Sequence, residues 1–342
     1  MRTLPLTISG HFLDGMLESV LHAGGQAAAL RILNSARVAP SFLQQPASRI
    51  TRTQFVAAYK AVAVELDDEM HGLWSRPIRG GTLKYLMLSL LDAANLAIAL
   101  NRFVIFWNLL LDDYRLSLVR EPGFIGITVE KRIDGLKVNV LGHELLIKLI
   151  HGVASWLLDK EIALDSVAFV FSRPAHWEDY AFLFPGTVSF DAPCSSIRFP
   201  APYGTATFRR TRLELWSFLR RAPEDWAFTT LNEGLLSARV RRYLAAQEVP
   251  DSEVADIAKA FWMSPRTLTR RLEEEGRTFR AIRDDLRRDS AVQLLTQSRA
   301  SIDSIATLVG FSNTAAFSRA FKNWMGKTPT DYRKGGDSPD KR

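Results

Sequence analysis

Between residues 11 and 111 apolar side chains recur every three or four positions, as in FVAAYKAVAVELDDEM and LKYLMLSLLDAANLAIAL. That spacing puts them on one stripe of a helix, so the region predicts a succession of helices whose stripes supply core. The pattern then changes. YRLSLVRE and FIGITVEK read as two strands separated by Pro122-Gly123, a strong turn signal. VNVLGHELLIKLIHGVASWLLDK returns to the helical period as far as Lys160, and SVAFVFS reads as another strand. A short strand, SIRFP, follows inside a stretch from Phe182 to Thr207 that is rich in Pro, Gly, Ser and aromatic residues. The predicted fold class is an α+β N-terminal domain, helices with a small antiparallel sheet, followed by an all-α C-terminal domain.

After residue 205 the composition shifts to basic clusters on a helical period, as in ATFRRTRLELWSFLRRAPEDW, and no further strand is predicted. The domain reading is 1–205, then a helical linker over 206–232, a helical domain over 233–335, and a disordered tail over 336–342.

Inside the C-terminal domain one unit occurs twice. EVADIAKAFWMSPRTLTRRLEEEG and SIDSIATLVGFSNTAAFSRAFKNWMG align Ile257-Ala258 with Ile305-Ala306, Leu268 with Phe317, Arg270 with Arg319 and Leu272 with Phe321. Ala258 and Ala306 are small enough for a second helix to cross closely, Gly310 suits the positive φ of a tight turn, and Phe311 can plug the core beneath it. Ser264 before Pro265 reads as an N-cap with proline in the first turn, and Ser312 or Asn313 takes that part in the second copy. These are helix-turn-helix signals, at about 252–273 and 301–324. On each second helix the stripe of Leu268 and Leu272, or of Phe317 and Phe321, must face inward. The other side carries Arg266, Thr269 and Arg270, or Thr314, Ala315 and Arg319, near the end a recognition helix presents to base edges in the major groove. The segment between the copies, TFRAIRDDLRRDSAVQLLTQS, is itself periodic and reads as a rod that spaces them. The competing reading is an α-α repeat packed on itself with surface arginines.

Charge sharpens this. The net charge is +7, and the excess lies at one end: residues 1–204 hold 19 Lys+Arg against 19 Asp+Glu, whereas residues 205–342 hold 25 against 18. That asymmetry suggests an anionic partner for the C-terminal part, with plain solvated surface as the alternative, and it is the doubled helix-turn-helix that makes the partner double-stranded DNA. The single cysteine, Cys194, leaves no internal disulfide and fits a reducing cytoplasm. The N-terminal stretch has no apolar run of signal length, and the most hydrophobic segment, Tyr85 to Leu100, contains Asp92 and Asn95 and reads as a buried helix rather than a membrane span.

Catalytic and metal motifs are missing. HELLIK opens like a zinc-protease helix but has Ile147 at the second ligand position, and His143 and His151, eight apart, lack a third ligand. No cofactor is predicted. Arg79 and Lys84 are candidates to attract an acidic effector, and Trp107 and Tyr114 to wall an apolar pocket, each with an ordinary surface or core role as the alternative. The helix from Val140 to Lys160 is expected to pair with its twin in a homodimer, or else to bury its stripe internally.

MSPRTLTRRLEEEGRTF and SIDSIATLVGFSNTAAFSRAFKNWMGKTPTDYR resemble the two reading units of the AraC/XylS family of bacterial transcription regulators, the second carrying the family signature with Gly310-Phe311, Phe317, Arg319, Phe321-Lys322, Gly326, Pro329 and Tyr332-Arg333. RPIRGGTLKYLMLSLLDAANLAIALNRF, VAFVFSRPAHWEDYAFLF and VSFDAPCSSIRFP resemble the arabinose-binding-type effector domain of the subgroup that includes ornithine-utilisation regulators. By this resemblance the base-facing positions are Arg266, Thr269 and Arg270, with Thr267 beside them, and Thr314, Ala315, Ala316 and Arg319, with Lys322 beside them. The resemblance also implies a DNA-binding regulator that is not an enzyme, an activator working with RNA polymerase, and an N-terminal domain that binds a small-molecule effector of unknown identity and dimerises. An enzyme with a DNA-targeting module and a non-specific architectural DNA binder are the alternatives. The sequence departs from the family at Trp262, where relatives commonly have Gly; a bulky side chain there can alter the first turn.

Overall fold

The computed structural model describes all residues except 1–6, 45–48, 134, 230–235, 246–252, 275–277, 299, 326 and 335–342, so the tail expected at 336–342 and the signature residue Gly326 lie outside the described residues. The chain forms two compact bodies. The larger comprises Ser9–Ile32 and Phe55–Leu231, and the smaller Met1–Ile8, Leu33–Gln54 and Asn232–Arg342. Residues 33–54 thus cluster with the C-terminal helices, an exchange that no local pattern in the sequence marks.

The first elements are β1 (Thr7–Ser9), α1 (His11–Ser35), β2 (Arg49–Thr51), α2 (Arg52–Leu66), α3 (Thr82–Leu90) and α4 (Leu96–Leu110). The apolar run from Tyr85 to Leu100 is therefore two helices rather than one. Asn95 is the reason: its side-chain oxygen accepts a hydrogen bond from Ile98 N at 3.0 Å and starts α4 afresh. The sheet and its helices follow: β3 (Tyr114–Glu121), β4 (Phe124–Lys131), α5 (Val140–Leu157), β5 (Ser166–Ala168), α6 (Tyr180–Leu183), β6 (Thr187–Ser189), β7 (Ser195–Pro200), α7 (Arg212–Arg221) and α8 (Glu224–Ala227).

Strand order in the five-stranded sheet is β3-β4-β7-β5-β6. The pairs β3/β4, β4/β7 and β5/β7 are antiparallel, and the β5/β6 edge pair is parallel. Along β4, Ile125, Ile127 and Val129 alternate into the core opposite Phe199, Ile197 and Ser195 of β7. The core helix is α5, in which every residue from Leu141 to Leu157 is buried. By length and composition α5 could cross a bilayer, but 94% of it is buried inside the fold. The same burial overturns the expectation that this helix pairs with its twin: no side of it is left to offer a second copy.

Of the helical linker expected over 206–232, residues 230–232 lie outside the described residues, and 206–229 belong to the larger body, with α7 and α8 in them. A capping box, Thr211 with Glu214, starts α7, and the Arg210 guanidinium meets Asp159 at 2.7 Å and Glu214 at 3.0 Å. Trp226 of α8 is buried against α5. A Cβ on Gly152 would come within 2.2 Å of the Trp226 carbonyl oxygen, so only glycine permits that approach.

In the smaller body β1 and β2 form a two-stranded ladder, with Ile8 and Ile50 buried. Its C-terminal part holds α9 (Leu236–Ala245), α10 (Val254–Ala260), α11 (Pro265–Glu274), α12 (Phe279–Gln297), α13 (Ile302–Leu308), α14 (Thr314–Met325) and α15 (Pro329–Lys334). These make two small cores. One joins Val240, Ile257, Ala258, Leu268 and Leu272 to Ile282 and Leu286; the other joins Ile305, Ala306, Phe317 and Phe321 to Ala291, Val292 and Leu295. Helix α12 thus gives its first half to one core and its second half to the other. At 1.5 Å per residue its 19 residues extend about 28 Å.

Candidate nucleic-acid interface

Each repeat is built from a short helix, a turn and a longer helix: α10 and α11 in the first, α13 and α14 in the second. Ala258 is 0% exposed and Ala306 1%, where the helices of each pair cross. The backbone closes both turns with the same bond, Met263 N donating to Ala258 O and Phe311 N to Ala306 O, each at 2.8 Å. Gly310 takes φ +82°, as a left-handed turn position requires. Trp262, aligned with it, takes φ +55° and keeps the turn, so the bulky residue does not alter it. The two sites differ in what lies over them. A Cβ at Gly310 would meet the Arg287 guanidinium at 2.9 Å, whereas Trp262 is 97% exposed and projects into open solvent.

The second helix of each repeat starts on a side-chain cap. Thr267 N donates to Ser264 Oγ at 3.1 Å, and Ala316 N donates to Asn313 Oδ1 at 2.8 Å, which settles the cap on Asn313 rather than Ser312. The caps lie 49 positions apart and the closed turns 48, so the second repeat carries one extra residue, Ser312, between turn and cap.

Behind these helices Leu268, Leu272, Phe317 and Phe321 are all fully buried. The first core is mainly aliphatic. The second is aromatic: the ring of the half-buried Phe311 lies 5.6 Å from that of Phe317 and 5.9 Å from that of Trp324, and Phe321 lies 5.4 Å from Tyr332. Arg287 of α12 sits over Phe311 at 5.0 Å, covering the turn from above.

The opposite faces carry the predicted readers. Arg266, Thr269 and Arg270 on α11 are exposed, as are Ala315, Arg319 and Lys322 on α14. Thr267 is half-buried, its hydroxyl 2.8 Å from Ser264 Oγ, and belongs to the cap. Ala316 is half-buried and supplies the capped amide. Thr314 is half-buried too, and its hydroxyl donates to the Asp303 carboxylate of α13, tying the two helices of the second repeat together. Asp303 and Arg287 were not picked out from the sequence: one lies 11 residues from its partner and the other on α12, so neither has a local signature. The arrangement sets two exposed, arginine-bearing helix faces on one continuous helix, a layout suited to phosphate and base-edge contacts at two places on one duplex.

Residues 27–205 match the family described as the N-terminal arabinose-binding domain of AraC transcription regulators, and residues 257–335 match a helix-turn-helix domain family. Over 333 residues the chain is 28% identical to an ornithine utilization regulator of Pseudomonas aeruginosa, covering 94% of this chain and 95% of that one. The regulator VqsM of the same organism is 36% identical over 120 residues, 34% of this chain and 36% of that protein. A crystal structure of the Pseudomonas aeruginosa regulator CdpR is 25% identical and covers 73% of this chain and 81% of that one, with a TM-score of 0.31.

Proposed function

The chain belongs to the AraC family of transcription regulators, and from that premise we propose that it reads one operator with two recognition helices, α11 and α14, seated in successive major grooves on one side of the duplex. It is a DNA-binding regulator with an N-terminal ligand-binding domain, and its family and relatives are regulators rather than enzymes. The proposal adds which side chains read. Arg266, Thr269 and Arg270 serve the first site, and Arg319 with Ala315 the second, with Lys322 on phosphate and Thr314 and Ala316 at the helix start. The observation that carries it is the pair of exposed arginine faces on helices whose cores share α12. A length of about 28 Å for α12 is of the order of the roughly 34 Å between successive major-groove faces.

In this reading the N-terminal ligand-binding domain biases how the readers engage, the chain acts in the cytoplasm as an activator that contacts RNA polymerase, and it dimerises through its N-terminal part by a surface other than α5. The family description names arabinose and the long relative's name includes ornithine, so these are the first two effectors to try.

Selection of bound sites from random duplex, followed by footprinting, tests the core claim. Protection should fall on two half-sites about 10 base pairs apart on one face. A single short footprint, or affinity that declines with salt identically for selected and random duplex, would remove the two-groove reading.

A further inference from the structure

Buried polar groups in the larger body are mostly spoken for. Asp68 accepts from the amides of Met70, Gly72 and Ile78, and Asp113 holds Ser75 through both its amide and its hydroxyl. On α5, His151 Nε2 lies 2.8 Å from the Ile162 carbonyl oxygen, and Glu144 receives His176 and Tyr180. Among the described residues of the larger body His71 Nδ1, Trp107 Nε1 and Thr128 Oγ1 stand singly without a partner, whereas His143, fully buried two helical turns before His151 on the same helix, lacks one on both ring nitrogens.

Its neighbours share the condition. The His143 ring lies 4.7 Å from that of Tyr114, at the start of β3, and 5.9 Å from that of Trp74, whose own ring is 5.3 Å from Tyr114. Trp74 and Tyr114 are buried, and Trp74 Nε1 and the Tyr114 hydroxyl also lack partners. Phe171, 6.4 Å from His143, adds an apolar ring beside them. Three chain segments thus bring four unsatisfied polar atoms to one place among aromatic rings. Leaving such atoms unpaired costs free energy, and a molecule that paired with several of them at once would recover it.

The atoms also say what enters. Trp74 Nε1 only donates, the Tyr114 hydroxyl donates and accepts, and a neutral imidazole does one of each, so the incoming molecule must supply both an acceptor and a donor. The buried carboxylate that acts on the cluster, Asp113, already has both oxygens engaged by Ser75. Burial above all, with the Lys131 ammonium adding to it, lowers the His143 imidazole to about 4, and burial, with Asp113 as the lesser cause, raises the Tyr114 hydroxyl to about 12.

We propose that Trp74, Tyr114 and His143, flanked by Phe171, form the effector site of the N-terminal domain, and that it takes an uncharged small molecule carrying a hydroxyl or carbonyl beside an apolar face rather than a charged amino acid. This rests on the reading that the N-terminal domain senses a small molecule.

The test uses the full chain with three probes: phenol and L-arabinose as neutral molecules with a hydroxyl, and L-ornithine as the charged one. Thermal shift and tryptophan fluorescence follow binding, and Tyr114→Phe removes one unpartnered oxygen without changing the ring. A neutral probe should raise the melting temperature saturably, and Tyr114→Phe should weaken that response about tenfold, with Trp74→Phe as a second variant should Tyr114→Phe misfold. Probe-free affinity for operator DNA should stay as in the parent. No saturable response to either neutral probe overturns the site, as does an equal response in both variants. Ornithine binding that Tyr114→Phe weakens overturns the uncharged class. Ornithine binding that ignores Tyr114 removes this site and leaves effector sensing itself intact.

Discussion

The two helix-turn-helix repeats share one plan and solve its tightest point differently. The second spends a glycine at the turn, covers it with Arg287, and packs five aromatic rings beneath: Phe311, Phe317, Phe321, Trp324 and Tyr332. The first places Trp262 in the same left-handed conformation and leaves it in solvent over a mainly aliphatic core. A left-handed backbone disfavours any residue with a Cβ by about 1 to 2 kcal/mol, so conformation alone does not explain why one turn takes Trp and the other Gly. The overlying side chain does. Open space above residue 262 accepts an indole, whereas any side chain at residue 310 must displace the Arg287 guanidinium that lies over it.

The largest test of that contrast removes the aromatic core. Phe317→Ala should cost about 3 to 5 kcal/mol, because a fully buried ring leaves a cavity. Hydrogen exchange should show amides of α13 and α14 opening while those around Leu268 stay protected. Equal loss of protection in both repeats would mean that α12 joins them into one cooperative unit. Next, Gly310→Trp copies the first turn into the second. Left-handed strain and overlap with Arg287 together predict a loss of about 2 to 4 kcal/mol in denaturant unfolding; a neutral outcome would show that Arg287 moves aside freely.

The reading faces differ as well. Arg319 stands among alanines, whereas the first face spreads its contacts over Arg266, Thr269 and Arg270. Arg319→Ala should therefore cost about 1 to 3 kcal/mol of specific affinity, more than Arg266→Ala or Arg270→Ala alone. Gel-shift titrations against selected and scrambled operators decide it, and a larger loss at Arg270 would reverse the ranking. The smallest effect is expected from Trp262→Gly. Relief of the left-handed strain, offset by the added chain entropy of glycine, should raise stability by about 0.5 to 1 kcal/mol in thermal unfolding. A destabilised variant would reveal that the indole has a partner in the full chain.

Much of this was legible in the sequence because its causes are local. Ser264 and Asn313 cap the amide three residues on, the inward stripes follow the 3.6-residue period, and the change of offset from 48 to 49 between Ala258 and Leu268 marks the residue added in the second turn. The strands β3 and β4 agree with their alternating pattern and their Pro-Gly turn. Where the cause was distant, the reading fell short. The period of α5 showed an apolar helix but not that protein encloses it on every side. The helical spacing of α7 was read, yet nothing near Trp226 announces Gly152, 74 positions away, on which α8 depends.

The sequence by itself determined the helical periodicity of most of the chain, the strands β3 and β4, that one helical unit occurs twice, and which faces of its second helices must be buried, since each follows from contacts within a few residues. Only the tertiary structure decided that residues 206–229 belong to the larger body, that Arg287 lies over one turn while the other opens to solvent, and that Trp74, Tyr114 and His143 meet. Those outcomes depend on side chains brought together from remote segments, and burial, overlap and hydrogen-bond satisfaction are defined only once the chain has closed around them.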